Sequence, residues 1–200
     1  MIHAILVLMT PNEHALPPPR LPSAWVQRFA PLIDPGGNIL DLACGSGRHA
    51  RYLAGLGFTV EAVDRNPEVI EALRDIPGIA ARCADLEAGP WPYGGRNFAG
   101  VVVTNYLWRP LFPLLMATLD KGGILIYETF MVGHEQYGHP SNPAFLLRRN
   151  ELLNVIRNHL EPIAFEQGEV AGPHPAVLQR ICAVRGGPLR LPDGLATDRD

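Results

Sequence analysis

Two hundred residues with 47% hydrophobic content make a chain long enough to bury roughly 70% of its unfolded surface in one domain. Its formal net charge is −3 and its basic residues never cluster beyond Arg148-Arg149, which disfavours nucleic acid as a partner. Cys44, Cys83 and Cys182 have neither disulfide-framework nor zinc-site spacing, so a reducing cytoplasm is the expected compartment.

The opening MIHAILVLM is apolar but far short of the ~20 residues that a membrane span requires, and it lacks the basic n-region of a signal peptide. It reads as an extra strand, or as untranslated sequence if Met9 is the true start. Residues 11–22 form a proline-rich arm unsuited to regular helix or central strand. Residues 1–22 are therefore an extension, 23–186 the domain, and 187–200 a Pro/Gly-rich tail expected to fray.

Within the domain, apolar periodicity switches repeatedly between short runs and helical spacing, the mark of βα units. SAWVQRFAPLI predicts a helix capped by Ser23, with Trp25, Phe29, Leu32 and Ile33 inward. NILDLA is the first strand, and RHARYLAGLG a helix with Leu53 and Leu56 on the sheet, stopped by Gly57. FTVEAV is strand two, and PEVIEALRD a helix capped by Asn66 with Pro67 in its first turn. GIAARCA follows as strand three. FAGVVVT, apolar and β-branched throughout, predicts a strand covered on both faces. PLFPLLMATLD is a short helix, KGG a turn, and GILIYETF strand five. After a seventeen-residue loop, RRNELLNVIRNHL predicts a helix with Leu152, Leu153, Ile156 and Leu160 on one face. EPIAFEQGEV and PAVLQRICAVRG, joined by the short turn AGPH, must be antiparallel, since a parallel pair needs a long crossover. The expected fold is α/β: a doubly wound, mostly parallel sheet with an antiparallel C-terminal hairpin. Such sheets hold ligands at the carboxyl ends of their strands, where strand order reverses.

The tips to inspect are Asp41 to Gly47, Asp64, Asp85, Asn105 and Glu128. Gly45, Gly47 and Ala50 satisfy a dinucleotide fingerprint, with Asp64 nineteen residues after Gly45. Asp41 argues against a dinucleotide. A carboxylate beside two phosphates is repulsive, by about 4 kcal/mol for unit charges 4 Å apart at an effective dielectric of 20. A ligand carrying an ammonium and a sulfonium would be attracted, and S-adenosylmethionine is such a ligand. Asp64 suits its ribose hydroxyls and Asp85 its adenine amino group, while Leu86 offers an apolar wall. Asn105 and Tyr106 would present backbone carbonyls near its ammonium.

The segments LDLACGSGRHARYLA, VEAVDRNPEVIEAL, ARCADLE and GGILIYETF resemble motifs of the class I S-adenosylmethionine-dependent methyltransferases. Within that superfamily they are similar to the small single-domain type grouped with the tellurite-resistance methyltransferases. That resemblance spans about residues 38–185 and implies a seven-stranded Rossmann-like sheet with a reversed last strand. It implies cofactor contacts at Asp41, Ala43, Gly45, Gly47, Asp64, Asp85 and Asn105. The departure is Ala43, where the pattern most often has its first glycine.

Methyl transfer needs alignment of donor and acceptor and exclusion of water; a base is needed only for a nucleophile that holds its proton tightly. Tyr106 and Glu128 are the catalytic candidates. TNYLWRP supplies Trp108 and Arg109 to the acceptor wall, and Arg109 suits an anionic acceptor. The long loop reads as a lid contributing His134, Tyr137 and His139. His134, Glu135 and His139 lack the spacing of a helical zinc motif, so no metal is expected. The expected acceptor is a small molecule, such as an oxyanion or a thiol. Two alternatives stand beside it: an NAD-dependent oxidoreductase, and a non-catalytic S-adenosylmethionine-binding module serving a partner. Oligomeric state is not legible.

Overall fold

The computed structural model describes residues 21–172 and 174–193. The extra strand expected near the N-terminus, the proline-rich arm up to residue 20 and the end of the tail lie outside the described residues. Helix α1 (Ala24–Phe29) starts where the Ser23 side chain accepts a hydrogen bond from the Trp25 N–H. It gives way to a 3₁₀ turn (Ala30–Leu32) at Pro31, which has no amide to continue the helix.

Strand β1 (Asn38–Leu42), helix α2 (Arg48–Gly55), strand β2 (Thr59–Asp64), helix α3 (Pro67–Glu71) and strand β3 (Ile79–Cys83) are the expected βα units. Leu53 is buried, but Leu56 is 50% exposed, contrary to the periodicity. The helix has ended one residue earlier, and Leu56 serves as its C-cap before Gly57 turns left-handed.

Strand β4 (Phe98–Thr104) is buried on both faces, as its composition predicts. A 3₁₀ turn (Arg109–Leu111) and helix α4 (Phe112–Thr118) lead into β5 (Leu119–Phe130). KGG lies inside β5 and not in a turn before it; the Gly122 amide donates to the Arg185 carbonyl, and a register shift between Phe98 and Gly100 absorbs the irregularity. Helix α5 (Glu151–Ile156) is shorter than expected because Asn150 is left-handed; Leu152, Ile156 and Leu160 are buried. Strands β6 (Glu161–Val170) and β7 (Ala176–Val184) close the chain.

The seven strands lie in the order β3-β2-β1-β4-β5-β7-β6. Pairings among β1 to β5 are parallel, whereas β7 runs antiparallel to both β5 and β6. One apolar layer packs α1, α2 and α3 on the sheet through residues such as Phe29, Leu53 and Ile70. The other packs α4 and α5 through Leu115, Leu152 and Ile156. Strand order reverses between β1 and β4, so their carboxyl ends diverge there and leave a crevice. Among the described residues no helix is long and apolar enough to cross a membrane.

Candidate functional site

The chain between β1 and α2 bends through three left-handed residues, Ala43, Gly45 and Gly47 (φ +53°, +53° and +73°). Gly47 has no room for anything larger, since a Cβ there would sit 2.4 Å from Leu73 Cδ2. At Gly45 a Cβ would meet nothing within 4 Å, so that stretch of backbone is open to approach. Ala43 holds the same conformation with a methyl group, at a cost of roughly 1–2 kcal/mol.

Asp64, at the tip of β2, ties this turn down: one carboxylate oxygen accepts from the Gly45 N–H at 2.9 Å, the other from the Asn66 N–H at 2.9 Å. From its place at the strand tip Asp64 is expected to accept both ribose hydroxyls. Each of its oxygens in fact carries one backbone bond, and the remaining lone pairs of the carboxylate are left for ligand hydroxyls. At the tip of β3, Asp85 Oδ1 accepts from the amides of Glu87 and Ala88 and so shapes its own turn. These two bonds hold its carboxyl below the usual range.

Asp64 and Asp85 line one crevice of about 170 Å³ together with Ala43, Ala84, Leu86 and Tyr106. Arg65 and Glu87 complete its wall; the sequence reading named neither, although both sit beside the strand-tip acids it did name.

Asp41 is 1% exposed and neither of its carboxylate oxygens has a hydrogen-bond partner. Burial pushes its carboxyl up to about 7, and the charge of Asp64 adds to the rise. The Ala50 amide and Arg48 pull the other way without cancelling it. A cationic ligand on this turn, two residues beyond this buried carboxyl, would favour its ionised form.

A second cavity, about 220 Å³, opens between the tips of β4 and β5. Asn105, left-handed at φ +54°, and Thr129 bring polar groups to it, while Phe130, Pro140 and Phe145 give it an apolar roof. Tyr106 and Glu87 line both cavities. The Tyr106 hydroxyl is buried without a partner, and burial, then the charge of Glu87, holds it well above the ordinary tyrosine range. Its carbonyl accepts from the Tyr127 hydroxyl at 2.7 Å.

Other expected site residues are engaged elsewhere. Glu128 points to the α1–α2 face, where it accepts from Ser23 Oγ at 2.7 Å and pairs with Arg180 at 3.2 Å. Beside it, His49 Nε2 accepts from the Ser23 N–H, and its Nδ1 faces Thr104 Oγ1. The strand alternation that sends Tyr127 to one face sends Glu128 to the other. Arg109 is spent on the loop: it forks onto Glu151 and donates to the carbonyls of Ala144 and Leu146. Trp108 packs on the α4–α5 core and lines neither cavity.

His134 is 5% exposed, stacks on Phe130, accepts from the Val177 N–H at Nδ1 and meets the His139 carbonyl at Nε2. It is the internal pin of the loop. Tyr137 bonds Glu169 on the exterior, and His139 is exposed. The aromatic and proline side chains that do reach the second cavity from this loop, Pro140 and Phe145, carried no signal beyond their place in a long loop.

The position of Glu128 yields a direct expectation. Glu128→Gln should cost about 1–3 kcal/mol of stability, as expected for a charged hydrogen bond lost at a buried site, while cofactor affinity stays unchanged. Denaturant unfolding and calorimetry would separate this from a catalytic role, which predicts intact stability with lost turnover.

Residues 13–136 match the profile of a family described as a methyltransferase domain. Ribosomal RNA small subunit methyltransferase J from Erwinia tasmaniensis is 43% identical over 54 residues, covering 27% of this chain. The chain thus spans about a fifth of that curated relative's length, 21%. Among solved structures, TehB from Haemophilus influenzae superposes with a TM-score of 0.67 at 21% identity, over 80% of this chain and 61% of that one. The N-methyltransferase NodS from Bradyrhizobium japonicum WM9 superposes at 0.63 with 14% identity, over 82% of this chain and 94% of that one. At these identities the two superpositions establish the fold.

Proposed function

The chain belongs to the methyltransferase-domain family, and from that premise we propose that it is an S-adenosylmethionine-dependent methyltransferase acting on a small molecule held between the β4 and β5 tips. The observation that carries the reading is the shared crevice of Asp64 and Asp85, with the unpartnered Asp41 carboxylate behind its glycine turn. In this reading Asp64 receives the ribose hydroxyls, Asp85 the adenine amino group, and Leu86 and Ala43 the faces of the ring. Gly45 and Gly47 let the backbone approach the methionine portion, Asn105 borders it, and Asp41 offsets its positive charge.

S-adenosylmethionine supplies an electrophilic methyl group on a sulfonium. What the chain adds is alignment and exclusion of water, and such orientation is worth roughly 7–11 kcal/mol of barrier. The second cavity adjoins the first through Tyr106 and Glu87, so an acceptor there lies next to the donor site. Phe145 and Pro140 from the loop roof it. Tyr106 is a wall shared by both ligands, whereas Glu128 serves the fold. The three free thiols are the basis for a cytoplasmic assignment.

Calorimetry with S-adenosylhomocysteine and with NADH on the same preparation tests the cofactor reading. Binding of the former alone is expected; preference for NADH would overturn it.

A further inference from the structure

We propose that the acceptor is an amine on a flat apolar frame, received in the second cavity with its nitrogen against Glu87; this rests on reading the adjoining crevice as the cofactor site. The walls carry the argument. Tyr106, Phe130 and Phe145 present aromatic surface, and among the described residues lining the cavity Glu87 is the only charged one. Aromatic faces and a carboxylate both attract a cation, and both disfavour an anion.

No arginine offsets this. Arg109, the sequence candidate for an anionic acceptor, has its guanidinium taken by Glu151 and two loop carbonyls. Arg65 lines the cofactor crevice and not this cavity. Arg148 and Arg149 are exposed beyond the loop and do not line it either. An oxyanion would therefore enter a space that holds one negative charge and no positive one.

Nitrogen chemistry also gives Glu87 a task. An amine is protonated near neutral pH and must shed that proton before its lone pair can take a methyl group. Glu87 attracts the ammonium form, which gives its proton to solvent water before the neutral amine takes the methyl group. The Tyr106 hydroxyl, buried without a partner where the two cavities meet, stays a neutral phenol and adds no competing charge.

Probe binding to protein saturated with S-adenosylhomocysteine tests the proposal, using 2-phenylethylamine, 3-phenylpropionate and 2-phenylethanethiol as a matched set. By calorimetry the amine should bind at least about tenfold more tightly than the other two. Glu87→Gln should lose about tenfold for the amine and little for the thiol. Phe145→Ala, whose ring lines the second cavity only, should weaken the amine while S-adenosylhomocysteine affinity holds. Equal or tighter binding of the carboxylate or the thiol would overturn the proposal, as would an unchanged amine affinity in Glu87→Gln. Absence of any S-adenosylhomocysteine binding would instead overturn the cofactor reading beneath it.

Discussion

Lowering the pH from 8 to 5 should weaken S-adenosylmethionine binding by roughly a hundredfold, and Asp41→Asn should abolish that dependence. The free protein holds the Asp41 carboxyl at about 7 because burial outweighs the pull of the Ala50 amide and Arg48. A cationic ligand on the neighbouring turn favours the ionised form, so binding near neutral pH releases a proton. Below pH 7 each unit of acidification then costs about tenfold in affinity until the ligand-bound carboxyl itself protonates. In Asp41→Asn the affinity should be lower at pH 8 and flat across the range. Calorimetry in buffers of different ionisation enthalpy reads the released proton directly. No proton release at pH 6.5 would count against a charge-matched site.

The same group has a stability signature, and its sign differs from that of an ordinary carboxylate. Because the folded-state value lies above the unfolded 3.8, the folded protein binds the extra proton between about pH 4 and pH 7. Stability from Asp41 is thus present in full below pH 4 and is lost as pH rises toward 7. His49 works in the opposite direction. Burial, and then the Arg48 charge, lower it from 6.5 to about 3, so its contribution is present above pH 6.5 and is lost as pH falls toward 3. The two slopes oppose one another over nearly the same window. Thermal unfolding of Asp41→Asn should therefore expose a rise in stability from pH 4 to 6.5 that the parent chain masks.

Asp64→Ala is expected to lower affinity for S-adenosylhomocysteine by about a hundredfold, the upper end for loss of one charged hydrogen bond of ~1.5–3 kcal/mol. The upper end applies because the substitution removes two things at once. It deletes the acceptor for the ribose hydroxyls, and it leaves the Gly45 N–H without its 2.9 Å partner, freeing the turn that should carry the methionine portion. Asp64→Asn keeps an oxygen for Gly45 but loses the charge, so it should fall between the parent chain and alanine. Calorimetry on the three proteins orders them. Equal affinities would remove the ribose from Asp64.

The strand tips were legible in the sequence because each rests on local pattern. A β-branched run, a turn and a helical period place Asp41, Asp64 and Asp85 without knowledge of anything distant, and two of the three do line one crevice. Their second duties were not legible. That Asp64 also anchors Gly45 depends on a backbone amide nineteen residues away. Likewise Arg109 looks available until Glu151, 42 residues on, is folded against it. His134 looks like a ligand until the Val177 amide arrives from β7. Glu128 sits at the end of its strand as expected, but which face it takes is fixed by register with β7, where it pairs with Arg180. Glu87 was within reach of sequence reasoning, since it follows Asp85-Leu86 in the turn that caps β3.

A crystal structure of the protein grown with S-adenosylhomocysteine is the most direct measurement. The ribose hydroxyls should rest on Asp64, the adenine between Leu86 and Asp85, and the amino acid end over the bend from Ala43 to Gly47. Adenosine bound elsewhere while Asp64 and Asp85 face only solvent, or a pyrophosphate seated on that bend, would contradict a site built for a positively charged methyl donor.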